Sequence, residues 1–179
     1  MKHVMFDLET MATTANAVIL SIGAVKFDLE NNKIDNDGFY ASLSIDDQIA
    51  EGRVISESTL IWWMAQIKEA QQVFVEPKQT LESALISLID WLGHNKRCPW
   101  SNGADFDLPM LAHAFTAHGM EVPWEFWNSR CVRTYRSLPI AKQVAKPEAA
   151  VAHNALHDAV AQARHVQAIH AALIGKVTT

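Results

Sequence analysis

The chain has 179 residues, of which 49% are hydrophobic and 20% charged, and its formal net charge is −5. That length builds one sizeable core and leaves little room for a second. The acidic balance excludes a protein that coats duplex nucleic acid nonspecifically, which is basic as a rule; it leaves open an enzyme that grips only a strand end through bound cations.

Residues 1–8 read as a strand, and residues 17–28 (AVILSIGAVKFD) as a longer one. The polar ENNKIDNDG at 30–38 reads as a turn, and residues 39–45 alternate as a third strand. Short links between these three predict an antiparallel meander. Ser56 or Ser58 is placed to cap a helix whose Leu60, Trp63, Met64 and Ile67 share one face. A stronger helix spans residues 80–94, with a stripe of Leu81, Ala84, Leu85, Leu88, Ile89 and Leu92. RCPWSNG at 97–103 reads as a buried strand, and residues 108–118 as a helix stopped by Gly119. RCVRTYRSL at 130–138 reads as a short strand or a turn into a helix. Residues 139–153, with Pro139 and Pro147, read as loop, and Asn154 caps a last helix to about residue 174. Three antiparallel strands followed by alternating helices and strands predict an α/β fold, expected as a single domain over residues 1–179.

Cys98 and Cys131 form no motif, and the opening MKHVMFDLET has no secretory apolar region, so a reducing, cytoplasmic setting is expected. The longest apolar run, AVILSIGAV at 17–25, is too short to span a membrane.

Three segments carry candidate chemistry. In FDLET, Asp7 and Glu9 share a face of an otherwise apolar strand. Two like charges that close repel, and each is penalised by desolvation, so a cation is the first candidate to neutralise them. In NGADFDLPML (102–111), Asp105 and Asp107 compete for a position at a strand-to-helix junction, where either would also serve as a helix cap. In HNALHD, His153 and Asp158 flank the start of the last helix. Carboxylates from three distant segments plus a histidine suit two-metal phosphoryl transfer. Mg²⁺ and Mn²⁺ prefer carboxylate oxygens. Two such ions about 3.5–4 Å apart activate a water and stabilise a leaving oxygen. An imidazole, with an ordinary pKa of about 6.5, is suited to take the water's proton.

FDLET, NGADFD and HNALHD, in that order, resemble the three motifs of the DEDD 3′→5′ exonucleases. The His-x4-Asp spacing of the third matches their histidine subclass, whereas the tyrosine subclass would want Tyr where Asn154 stands. STLIWWMAQ (58–66) and WSNGADFD (100–107) are similar to the small exodeoxyribonuclease VIII-like and mycobacterial-type exoribonuclease group. The resemblance implies a ribonuclease H-like mixed sheet, three antiparallel strands plus parallel ones, flanked by helices. It implies two Mg²⁺ or Mn²⁺ ions held by Asp7, Glu9, Asp107 and Asp158, with His153 as general base. It further implies release of nucleoside 5′-monophosphates from 3′ ends of single-stranded RNA or DNA, and it suggests a homodimer. One departure is that relatives' Asp-x-Glu-Thr-Thr-Gly is replaced by Asp7-Leu8-Glu9-Thr10-Met11-Ala12, without the glycine. By the motif, the ligand follows the aromatic Phe106, which selects Asp107 and leaves Asp105 to cap the helix.

Thr10, Met11, Trp62, Asn102, Arg130 and Arg133 are candidates for substrate contact. Met11 either wedges against a terminal base or belongs to the core. Trp62 lies off the stripe that contains Trp63, so it stacks a base, fills a subunit interface or covers a second packing surface. Arg130, Arg133 and Arg136, with Lys142 and Lys146, form a basic stretch suited to backbone phosphates. Two rival readings remain. His153 and His157, at i and i+4, suggest a zinc hydrolase, but Asn154 stands where HExxH needs Glu. A non-catalytic nucleic-acid-binding module is the other.

Overall fold

The computed structural model describes residues 1–177. Elements follow in the order β1 (His3–Thr10), β2 (Ile19–Phe27), β3 (Phe39–Ser42), α1 (Ile45–Ala50), α2 (Glu57–Met64), α3 (Lys68–Gln71), α4 (Leu81–Leu92), β4 (Cys98–Ser101), α5 (Asp107–Ala117), β5 (Arg130–Cys131), α6 (Val132–Arg136) and α7 (Ala155–Val177). The strands form one sheet in the order β3-β2-β1-β4-β5. β1 pairs antiparallel with β2 and parallel with β4; β2–β3 is antiparallel and β4–β5 parallel. This is the mixed sheet expected, with the meander on one side and the crossover strands on the other.

Central β1 is covered on both faces, which is why its apolar residues do not alternate with polar ones. Val4, Phe6 and Leu8 pack with Leu85 of α4 and Leu111 of α5. Met5, on the opposite face, packs with Trp100 and with Ala159, Ala163 and Val166 of α7. Asp7 and Glu9 continue the Met5 face. The strand therefore carries its carboxylates to the side that α7 covers.

The approach of α7 depends on one residue of β2. Gly23 pairs with Asp7 across the ladder. A Cβ at Gly23 would lie 2.1 Å from the carbonyl carbon of Ala155, far inside van der Waals contact. Only glycine lets the first turn of α7 lie against the sheet beside Asp7.

The structure departs from the expectations at three places. The third strand stops at Ser42, and residues 45–50 form a helix capped by Ser44, whose Oγ accepts from the Asp47 N–H. Its buried Gln48 bonds both backbone groups of Ile19, and this pairing, invisible in a hydrophobic pattern, holds the helix. Ser56 caps α2, but the helix ends at Met64, and Leu60, Met64 and Ile67 are exposed. Only Trp63 reaches the interior, where its Nε1 donates to the Thr10 carbonyl at 2.9 Å. The predicted loop at 139–153 begins with a 3₁₀ turn, Pro139–Gln143. Among the described residues, no helix is long and apolar enough to cross a membrane.

Candidate active site

The parallel pairing of β1 with β4 ends at Met5–Trp100. Beyond it the β1 edge is free, and the Leu8 N–H donates to Asp107 Oδ1 at 3.1 Å. Asp107 opens α5, directly after the irregular turn at residues 102–106. It is 3% exposed, so the second motif turns inward at Asp107. Asp105 is exposed and does not cap α5: the N-cap position is Phe106, with no side-chain cap bond. The expected capping role of Asp105 is therefore corrected. Asp107 itself occupies the first turn, where the helix dipole favours negative charge.

From the other side, the start of α7 brings Asp158. Its Oδ2 accepts from the His153 N–H at 2.8 Å, fixing residue 153 in the left-handed region at φ 61°. The His153 ring packs edge-to-face on Trp62 (centroids 4.9 Å apart) and contacts Trp63 at 6.3 Å. One donor atom from each of Glu9, His153 and Asp158 lies within 4.8 Å of the others. One turn further along α7, Gln162 Nε2 donates to Asp7 Oδ1 at 2.7 Å. The cleft of about 290 Å³ is lined by Asp7, Glu9, Asp107, His153, Asp158 and Gln162, together with Leu8, Asn102, Phe106 and Arg133.

Burial raises the pKa of all four carboxyl groups, and neighbouring carboxylates raise those of Asp7 and Glu9 further. Burial pushes Asp7 well above the carboxylate range, and the charges of Asp107, Glu9 and Asp158 push it further, against the Gln162 hydrogen bond. Glu9 is pushed up to about 8, chiefly by burial and then by Asp158 and Asp107. Asp107 rises to about 6 through burial, restrained by the Leu8 N–H, its own N–H and the Arg133 charge. Burial raises Asp158 too, opposed by the His153 N–H and by His153, Lys146 and His157. A multivalent cation would reverse all of these shifts.

The donor set fits such a cation. It is oxygen-rich and has no thiolate, which suits Mg²⁺ or Mn²⁺. Two buried oxygens on the cleft wall, Gln162 Oε1 and Asn102 Oδ1, have no hydrogen-bond partner. Water around a bound ion would supply their donors. The pair His153/His157 does not make a zinc site. His157 is absent from the convergent group, and its N–H caps onto Asn154 Oδ1 at 3.1 Å.

Residues 2–170 match the family of Rv2179c-like 3′-5′ exoribonuclease domains. The chain belongs to this family. No curated protein matches it significantly. Among solved structures, cell-death related nuclease 4 (CRN-4) is similar at 13% identity and TM-score 0.60, over 92% of this chain. Escherichia coli exonuclease I in complex with a dT13 oligonucleotide is similar at 14% identity and TM-score 0.66, over 94% of this chain. A product-bound exonuclease I is similar at 12% identity and TM-score 0.64, over 97%. The chain spans only 62% of CRN-4 and 40% and 46% of the two exonuclease I chains. At these identities the likeness shows the fold, the ribonuclease H-like mixed sheet flanked by helices.

The candidate substrate residues separate into two groups. Thr10 and Trp62 line an apolar hollow of about 330 Å³ beside Glu9, with Leu8, Ala12 and Phe106. Asn102 and Arg133 line the cleft, and the Arg133 guanidinium donates to the Asn102 carbonyl. Met11 is 2% exposed and packs with Val18, Leu20 and Trp63, the core role of the two expected for it. Arg130 is exposed and does not line the cleft; its guanidinium donates to the carbonyls of Trp127 and Ser129. Sequence reasoning missed Gln162. Its spacing of four from Asp158 puts it on the same helix face, the one signal that could have found it. It also missed the contact of Trp62 with His153, for which the sequence has no signal.

Proposed function

We propose that the chain is a 3′→5′ exonuclease of the histidine subclass that uses two divalent cations, Mg²⁺ or Mn²⁺, to release nucleoside 5′-monophosphates from single-stranded 3′ ends. The observation that supports it is the convergence of Asp7, Glu9, Asp107, Asp158 and His153 in one cleft. When bound, the cations supply acidity to a water and charge stabilisation to the leaving oxygen. The chain's own residues do the rest. Asp7, Glu9, Asp107 and Asp158 hold the ions. Gln162 orients Asp7, and the Leu8 N–H orients Asp107. His153, steadied by Trp62 and by its N–H bond to Asp158, takes the proton of the attacking water at a ring nitrogen. Arg133, which also lines the cleft, supplies positive charge to the phosphate. The apolar hollow receives the terminal nucleoside, with Trp62 as the stacking surface. Family membership favours RNA over DNA.

The test uses labelled RNA and DNA oligomers of one sequence, with Mn²⁺, with Mg²⁺ and with excess chelator. The expected result is stepwise shortening from the 3′ end in either cation, faster on RNA, with 5′-monophosphate products and none in chelator. Internal cuts would overturn the exonuclease reading, and full activity in chelator the metal mechanism.

A further inference from the structure

Beside the cleft lies a second hollow of about 550 Å³, between α6, the segment 144–152 and the first turns of α7. That is within the size range of ligand pockets. It shares Asn102, Asp158 and Gln162 with the cleft, and the apolar hollow shares Leu8, Glu9 and Phe106 with it. The two hollows share no residue with each other. The carboxylates therefore stand between two chambers of different chemistry.

The apolar chamber presents Trp62 and Phe106. The other presents Arg136 from α6, Lys146 from the segment and His165 from α7, with Glu148 and Asp158 as its acidic walls. His165 is 5% exposed, and its Nε2 has no hydrogen-bond partner. The charges of Arg136 and Lys146 reach its imidazole, holding its pKa down together with burial, the larger cause. An unpaired buried nitrogen is costly to the fold, and in the tautomer that carries the proton on Nε2 an oxygen acceptor placed against it relieves that cost. A guanidinium, an ammonium and an imidazole around one space match the acceptor-rich surface of a phosphate group.

We infer that this chamber holds the phosphate next in the strand on the 5′ side of the scissile one. The substrate class is then a strand with at least two phosphates at its 3′ end, down to a 5′-phosphorylated dinucleotide. The inference rests on reading the cleft as the exonuclease centre. A nucleoside on the apolar side, the scissile phosphate over the carboxylates and the next phosphate between Arg136 and Lys146 place these three parts of the strand against matching chemistry.

The experiment compares a dinucleotide with a 5′-phosphate (pNpN) and the same dinucleotide without it (NpN). The first measurement is the ratio of their kcat/KM values. In the unaltered protein the ratio is expected to favour pNpN by about tenfold or more, the scale of one charge-assisted phosphate contact. R136Q and K146Q should each drive it toward one, through KM more than kcat. Effects on the cleft itself act on both substrates and cancel in the ratio. The second measurement follows the ring resonance of His165 in chelator, where nothing is cut. Titration with pNpN should shift it, NpN should shift it far less, and R136Q should suppress the response. A ratio that neither variant moves, with no selective shift at His165, overturns the inference. If neither dinucleotide nor any longer strand is cleaved with either cation while the selective shift persists, the exonuclease reading falls and the phosphate chamber stands.

Discussion

The end of β1 and the segment that leads into α7 meet in the same cleft, yet they are built in opposite ways. Asp7 and Glu9 stand on the central strand of the sheet, with ladder partners Gly23 and Ser21. Asp107 is tied to the same strand through Leu8. His153 ends an irregular segment and is fixed by one backbone bond to Asp158 and by the Trp62 and Trp63 rings. Groups that repel one another need a frame that does not yield, because without a cation every relaxation would drive them apart. A base that must turn toward a water needs orientation but no such frame. Rigidity is thus placed where the charge conflict is greatest.

The hardest break to this arrangement is Asp107→Asn. Activity should fall below detection, while the melting temperature without cations holds or rises, because one repelling charge is gone. Asp105→Asn should keep most activity, since Asp105 is exposed and caps nothing. Rates at saturating Mn²⁺ together with thermal melts check both; an inactive Asp105→Asn beside an active Asp107→Asn would mean the ligand in this motif is misassigned. On the loop side, His153→Ala should lower kcat by about 10²–10⁴, the usual worth of a general base, with little change in KM or stability. His157→Ala should do far less, and equal losses in the two would remove His153 from its role.

Gln162→Leu sharpens the comparison without touching a ligand. It removes the bond that orients Asp7, and cation affinity should weaken by about 10–100-fold, as for other groups that position metal ligands. Calorimetric titration with Mn²⁺ reads this directly.

The smallest effect is on stability against pH. Glu9 titrates at about 8 in the folded protein against an ordinary value of 4.5, and Asp107 at about 6 against 3.8. Between those limits the folded state binds more protons than the unfolded state, so stability falls as pH rises. Without cations, the protein should melt several degrees lower at pH 8 than at pH 5.5, on a scale of about 2–4 °C per kcal/mol for a chain of this size. Saturating Mn²⁺ should flatten that slope. A cation-free melting temperature that climbs from pH 5.5 to 8 would contradict the burial of these groups.

Much of the fold is legible in the sequence because it rests on periodicity. The Leu81–Leu92 stripe, the buried Trp100 strand and the Gly119 stop depend on local pattern alone. The apolar face of α2 is not a core face: its residues repeat at helical spacing, but only Trp63 has an interior to enter. α1 escaped because its anchor is a glutamine bonded to a strand far along the chain. In the site, the acidic residues stand out because carboxylates amid apolar neighbours conflict with burial. Gln162 does not conflict with anything in its own helix, and its partner Asp7 is 155 residues away. Met11 shows the converse: its place two residues after Glu9 is compatible with a substrate role or a core role, and β1 ends just before it, where the chain turns it inward against Trp63.

Gly23 never meets a substrate, and it has no side chain with which to do chemistry. It supplies a vacancy that the backbone of α7 fills. In a library of random variants selected for nuclease activity, position 23 should tolerate as few replacements as Asp7 opposite it. Even alanine would lift Ala155 off the sheet, carrying Asp158 and His153 with it. Such a map would mark the residue as catalytic by every statistical measure, although what selection retains there is the absence of one methyl group.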